Sequence, residues 1–302
     1  MFINKNLFFI SCLATSLFAD SPKWTFSDTS LGWNSSYLAR TYFHNSEMQR
    51  QWAWNLVGKV ALNGNESILD FGCGDGKITS ELSHLVMKGG SILGVDISDE
   101  MIRLSSLKFP NRYYPNLRYQ TSDSMSFTSE GHRGLYDLIT SFCVFHLIED
   151  PVIVLQNLKM QLKPNGKLLL VVPENNYPQF FQAAEETFIK HSLPIPWKQT
   201  ERKKSSMGTV VGAVKILDEA GFVPQLVERV DTPTVFYDAD ELYNWLVGTM
   251  AANWNIPSQV RHEFFQDVLQ RLFELDPDCI DENGVIELKL FRINVVATPL
   301  HT

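Results

Sequence analysis

The stretch Ile68-Leu69-Asp70-Phe71-Gly72-Cys73-Gly74-Asp75-Gly76-Lys77-Ile78-Thr79 decides the fold of this 302-residue chain. A short apolar run ends in an acid, Asp70. Glycines follow at alternate positions, Gly72, Gly74 and Gly76, and an amphipathic helix begins. That order reads as a strand entering a tight turn over which a ligand can approach bare backbone. The helix leaving the turn directs its free N–H groups at the same place. A dinucleotide fingerprint, G-x-G-x-x-G, has its third glycine one residue later and receives a pyrophosphate on the helix. Here the third glycine comes early and an acid precedes the first.

Working outward, residues 91–95 form an apolar strand ending at Asp96, and Ser98 starts a helix carrying Met101, Ile102 and Leu104. An acid at the carboxyl end of a second strand can accept both ribose hydroxyls of a nucleoside. Residues 117–120 read as a third strand, followed by Ser122-Asp123-Ser124-Met125. A fourth, 136–141, leads into Phe142-Cys143-Val144-Phe145-His146-Leu147. Asp150-Pro151 then supplies an N-cap and a proline at the first helical position. The helix has an apolar stripe of Val152, Leu155, Leu158 and Leu162. Residues 162–167, Leu-Lys-Pro-Asn-Gly-Lys, read as a turn before a fifth strand over 168–172. The ligand-facing segments thus leave one end of a parallel sheet, the end at which such sheets bind ligands.

The glycine turn resembles motif I of the class I methyltransferases that use S-adenosylmethionine (SAM), and 142–147 resembles their motif IV, which passes beneath the methyl group. The resemblance implies an α/β fold: a Rossmann-like, seven-stranded, mostly parallel sheet with helices on both faces, plus a helical cap or lid. Its last strand would run antiparallel beside the fifth. SAM is the implied cofactor, held by Asp70, Gly72, Gly74, Gly76, Asp96, Ile97, Asp123, Ser124 and Phe142. Of these, Asp123 and Ser124 would take the adenine edge, and Ile97 and Met125 would flank its ring. SAM has an amino-acid end and a sulfonium in place of a phosphate, which suits a turn flanked by carboxylates.

Upstream, Trp33-Asn34-Ser35-Ser36-Tyr37-Leu38-Ala39-Arg40-Thr41-Tyr42 and His44-Asn45-Ser46-Glu47-Met48-Gln49 run into a helix that continues through Trp52, Trp54, Leu56 and Val57. This segment resembles the N-terminal cap of one subgroup, which includes the trans-aconitate, juvenile hormone acid and malonyl-carrier O-methyltransferases. There it folds over the cofactor and touches the acceptor carboxylate, which implies acceptor roles for Tyr42 and Gln49. His146 is the third candidate, as an acceptor contact or base; its alternative is a structural histidine. Several subgroup members carry tryptophan directly after the His or Gln of motif IV. Here Leu147 stands in that place, so the acceptor pocket is expected to differ in shape.

The resulting layout has a leader over 1–20, a cap over 21–66, the SAM-binding core over 67–172, and acceptor-covering insertions over 173–208 and 231–284. Within the first insertion Phe180, Phe181, Ala184 and Phe188 fall at helical spacing, the pattern of core packing. In the second, Asp238 with Glu241 three residues on caps a helix bearing Leu242, Trp245 and Leu246. A longer helix follows from Ser258, and a last strand is expected over 286–297.

Composition bounds the partners. The formal charge is −8 and basic residues do not cluster, which excludes nucleic acid as the natural substrate and leaves a small-molecule acceptor. The four cysteines show no metal spacing and read as reduced; no metal is expected. Residues 1–19 are signal-like, with Lys5 before an apolar run ending Leu-Phe-Ala, and the protein is either cytoplasmic or exported by that segment. The run is too short for a membrane span. The oligomeric state stays open, a monomer included. Methyl transfer to a carboxylate needs no base, and the motifs offer few bases, so O-methylation of a carboxylic acid leads. C- or N-methylation of a small metabolite shares every cofactor feature. An NAD-dependent oxidoreductase and a non-catalytic SAM-fold interaction protein are the remoter alternatives.

Overall fold

Strand and helix alternate along the chain because apolar runs of strand length are punctuated by glycine turns and capped helices. The computed structural model describes residues 32–122, 134–174, 177–199, 206–231 and 233–300. The leader over 1–20 and the expected adenine-side residues Asp123, Ser124 and Met125 lie outside them. Helices α1 (Ser36–Asn45) and α2 (Glu47–Val57) come first. Then follow β1 (Ser67–Phe71), α3 (Lys77–Leu85), β2 (Ser91–Asp96), α4 (Asp99–Lys108), β3 (Leu117–Thr121), β4 (Tyr136–Phe142), α5 (Pro151–Gln161) and β5 (Leu162–Glu174). After α6 (Pro178–Lys190), α7 (Pro196–Gln199) and α8 (Val210–Glu219) come β6 (Phe222–Val230), β7 (Thr234–Phe236), α9 (Ala239–Asn253), α10 (Arg261–Leu275), β8 (Ile286–Leu288) and β9 (Phe291–Pro299).

The chain forms two compact units. The first, within Ser46–Asn176, Glu201–Thr232 and Leu290–Thr302, is built on a seven-stranded sheet of order β3-β2-β1-β4-β5-β9-β6. Strands β1 to β5 pair in parallel, and β9 runs antiparallel between β5 and β6. This is the fold class the motifs implied. Residues 168–172 of β5 are buried without alternation, as a central strand covered on both faces must be. The period of two still sorts them. Leu168 and Leu170 join a core with Leu69, Ile139, Leu155, Leu158 and Leu217, while Leu169 and Val171 join Trp52, Leu56, Ile68, Leu82 and Leu138. Each fully buried leucine contributes about 1.5–3 kcal/mol. Side-chain caps fix three helix starts. Ser98 accepts from the Met101 N–H, Asp150 from Ile153 and Thr209 from Gly212, each stabilising by about 1 kcal/mol.

The second unit, within Met1–Asn45, Tyr177–Thr200 and Pro233–Lys289, is helical and holds a two-stranded sheet of β7 and β8. Its core is aromatic. Phe180 stacks on Trp254, Phe188 meets Phe264 edge-on, and Trp254 stacks on Phe265. Of the four residues at helical spacing, Phe180, Ala184 and Phe188 are buried and Phe181 is half-buried. Asp238 caps α9 by accepting from the Glu241 N–H at 2.7 Å. Gly248 of α9 packs against the backbone of Thr41 and Tyr42 on α1.

Three boundaries differ from expectation. The strand expected over 286–297 is two strands: β8 pairs with β7, and β9 starts at Phe291 in the main sheet. Residues 162–167 are not a free turn but the start of β5, with Leu162 opposite Tyr136 and an irregular register before Leu138. The helix expected to run on into Val57 breaks at Ser46, whose side chain is drawn to the glycine turn. Among the described residues no helix is long and apolar enough to cross a membrane, and Cys73, Cys143 and Cys279 are free thiols.

Candidate functional site

Gly72, Gly74 and Gly76 all take left-handed φ angles, +76°, +53° and +77°. The first and last also permit close packing. A Cβ on Gly72 would stand 2.2 Å from Val144 Cγ2 in the segment after β4. One on Gly76 would stand 2.6 Å from both Ser105 Cβ and the Tyr119 hydroxyl oxygen. Real side chains do not tolerate such distances, so the turn and the segment after β4 meet only because Gly72 is bare. The N–H groups of Gly72 and Cys73 donate to the Val95 carbonyl at 2.8 and 2.9 Å, fastening the turn to the end of β2.

Asp96 stands where β2 ends. Its Oδ2 accepts from the Gly74 N–H and its Oδ1 from the Ser98 N–H, each at 2.9 Å. Burial pushes its carboxyl above the ordinary range, against the pull of those two amides and of the Ile97 N–H. A carboxylate offers about four lone-pair sites, so capacity remains for further donors, and hydroxyl donors would favour the ionised form. Ile97, next in the chain, is an apolar side chain left 65% exposed. A carboxylate with spare acceptor sites beside an uncovered apolar side chain fits the ribose and ring of SAM.

Asp70 is committed elsewhere. Both of its oxygens take hydroxyl donors, Thr79 Oγ1 at 2.6 Å and Thr140 Oγ1 at 2.8 Å, and burial raises its pKa to about 6. It ties β1 to α3 and β4 and so positions the turn. Asp75, which the glycine pattern hid, is also buried. It accepts from Ser46 Oγ at 2.7 Å and from the Lys77 N–H at 3.0 Å. Lys77 Nζ donates to Ser46 Oγ at 3.0 Å. The start of α2 is thereby pinned to the glycine turn, and the acid inside G-x-G-D-G was the one sequence signal for it.

Gln49 and Trp52 follow Ser46 at three-residue intervals along α2, and all three are buried. Gln49 Oε1 has no hydrogen-bond partner among the described residues. On the far side of the turn, Cys143 takes a φ of +59°, rare for a residue with a Cβ, and its N–H donates to the Val171 carbonyl at 2.8 Å. Phe142 packs its ring into the same core as Trp52, which leaves only its backbone for a ligand. His146 Nδ1 is buried with no partner among the described residues, and burial lowers its pKa to about 4, leaving a neutral imidazole at pH 7. Gln49, Asp70, Gly72, Gly74, Gly76, Asp96, Ile97, Phe142 and His146 all belong to the sheet unit. Tyr42 belongs to the helical unit, where its ring meets Trp33 edge-on at 5.7 Å. Sequence reasoning missed Asp75, Ser46 and one more residue beneath α2, Arg292, whose guanidinium lies 5.1 Å from the Trp52 ring.

Residues 62–246 match the family described as "Methyltransferase domain". The chain is 25% identical over 274 residues to trans-aconitate 2-methyltransferase of Rhizobium meliloti, covering 87% of this chain and 98% of that protein. It is 27% identical over 129 residues to demethylmenaquinone methyltransferase of Lactococcus lactis, covering 43% of this chain and 50% of that one. Of the demethylmenaquinone methyltransferase, and of a putative methyltransferase of Invertebrate iridescent virus 6, the chain spans about half the length. Among solved structures, the YcgJ protein of Bacillus subtilis shares the fold with a TM-score of 0.58 at 17% identity, covering 83% of this chain and 99% of that one.

Proposed function

The chain belongs to the class I SAM-dependent methyltransferases, and from that premise we propose that it transfers the methyl group of SAM to a carboxylate oxygen of a small acid. Family membership removes the oxidoreductase alternative. SAM, when bound, supplies an electrophilic methyl group on a sulfonium whose departure leaves a neutral thioether. Asp96 would hold the ribose hydroxyls on the lone pairs its backbone bonds leave over, and the glycine turn would receive the amino-acid end.

The observation that carries the carboxylate reading is the state of the ionisable groups around the turn. Asp70 is closed by two threonines and Asp75 by Ser46 and the Lys77 amide, while the lone pairs that backbone N–H groups leave on Asp96 are the ones assigned to the ribose. His146 is held at about 4 by burial, far from the operating pH at which a general base is effective. None of them is poised to take a proton from a hydroxyl or amine. A carboxylic acid, with a pKa of ~4, arrives already ionised at neutral pH. What remains is alignment, which can supply ~7–11 kcal/mol of a barrier. Gln49 is suited to that work. Its amide sits on a helix pinned to the turn, is buried, and has an unmet polar atom; rotated, it offers N–H donors to an anion. The full-length match to an enzyme named for a carboxylate, trans-aconitate, supports the same reading. The product tests it: a methyl ester is cleaved by mild alkali, whereas a methyl group on carbon or nitrogen is not.

A further inference from the structure

Arg292 is a buried cation, two of whose guanidinium nitrogens have no hydrogen-bond partner among the described residues. In β9 it lies opposite Pro173 of β5 and Val230 of β6. Since β5 runs parallel to β4 and β1, Pro173 marks the sheet end that carries the glycine turn. The side chain is 1% exposed, and neither Nε nor Nη1 has a hydrogen-bond partner among the described residues. The carboxylate whose charge reaches it, Glu228, is already paired with Lys59 at 2.8 Å and accepts from Asn294 Nδ2 at 3.1 Å. The Cys143 thiol is held protonated, since burial raises its pKa to about 12. The Trp52 ring offers a cation–π contact at 5.1 Å and no hydrogen-bond acceptor. A guanidinium stays charged in proteins, and a buried charge lacking its partner is among the costliest arrangements a fold can hold. Among the described residues no free anion completes it, and a bound carboxylate would.

We propose that Arg292 is the subsite for a second, non-reacting carboxylate of the acceptor, which makes the substrates dicarboxylic acids. This deepens the carboxylate reading above and rests on it. The reacting carboxylate loses its negative charge as the ester forms. A cation paired with it would therefore stabilise the ground state more than the transition state and slow the reaction. On a remote carboxylate the same pairing is equal in both states and serves binding alone. The layout of α2 agrees. Ser46 is bonded to the glycine turn, Gln49 comes next, and Trp52, against which Arg292 packs, follows one turn later. One turn of helix, a rise of ~5 Å, separates Gln49 from the residue against which Arg292 packs, so short diacids of roughly four to six carbons are the first to try.

The test is calorimetric titration of the full chain, loaded with S-adenosylhomocysteine, with linear dicarboxylates of about three to eight carbons and the monocarboxylates of equal length. At least one dicarboxylate is expected to bind about 30-fold more tightly than its monocarboxylate, the scale of one charge-assisted contact. Arg292→Met should erase that advantage while SAM and monocarboxylate affinities move by less than about threefold. Met removes the unpaired charge at similar volume, so the fold is expected to hold. Arg292→Lys, charged but without the planar fork, should lose part of the advantage. Dicarboxylates that bind no better than monocarboxylates, or an advantage that survives in both variants, would overturn the proposal. So would loss of SAM binding in Arg292→Met, which would assign the guanidinium to the cofactor. The two readings fail separately. A C- or N-methylated diacid sinks the ester and spares the subsite; an ester formed with no preference for diacids does the reverse.

Discussion

Asp70, Asp75 and Asp96 crowd one turn, yet only Asp96 keeps acceptor sites beside an uncovered apolar neighbour. Replacing it with alanine removes the charged acceptor for two hydroxyls and the anchor of the Gly74 amide. With charge-assisted hydrogen bonds contributing ~1.5–3 kcal/mol each, SAM affinity should fall by about 100-fold or more. Titration calorimetry on a variant with unchanged circular dichroism checks this, and a loss below about threefold would contradict the assignment. Titration of the buried groups gives a second prediction. The pKa of His146 is depressed to about 4, so the stability it contributes is present above its unfolded value of ~6.5 and is lost as pH falls through 4. Asp70, raised to about 6, acts oppositely: its contribution is present below ~4 and is lost as pH rises through 6. Scanning calorimetry between pH 4 and 7 should therefore show His146→Gln losing less stability on acidification than the parent, by roughly 2–4 °C in Tm. Asp70→Asn should lose less on alkalinisation. Parallel Tm curves for all three proteins would show that neither group is shifted.

Elements meet at the turn through contacts that can be cut in pairs. Gly72→Ala adds a methyl group 2.2 Å from Val144 Cγ2 at a φ of +76°, so it carries both backbone strain of about 1 kcal/mol and a clash. Val144→Ala relieves the clash alone. A double-mutant cycle in urea should give a coupling of about 1 kcal/mol or more, with the double variant still less stable than Val144→Ala. Strict additivity would mean that the two segments do not touch. At this scale much was legible. The strand-acid-glycine order located the turn, and Ser98, Asp150 and Asp238 announced their helices. Ser46 was not legible, because the force that breaks the helix there is a hydrogen bond to Asp75, 29 residues away. Nor was the split between β8 and β9. An apolar stretch reads as one strand until a second partner, β7, claims its first part.

For the molecule as a whole, the sheet unit holds the glycine turn and Asp96, and the motif-rich half of the sequence described its fold well. Acceptor chemistry was the opaque part. Arg292 and Asn294 alternate with Ile293 and Val295 in β9, a pattern that from sequence alone places the polar pair against solvent. Instead, the strand is covered on both faces and the pair is buried. Tertiary burial overrides local alternation there, so a charge that looks ordinary in the sequence is buried with two nitrogens unpartnered among the described residues. The −8 net charge adds to the case, since an anionic acceptor needs a local cation to enter an acidic protein. The most direct measurement is transfer of a labelled methyl group from SAM to a panel of mono- and dicarboxylic acids, followed by mild alkali. Label is expected on an acid, with dicarboxylates preferred, and mild alkali should release it as volatile methanol. Label that stays on the product through alkali would place the methyl group on carbon or nitrogen and contradict the account.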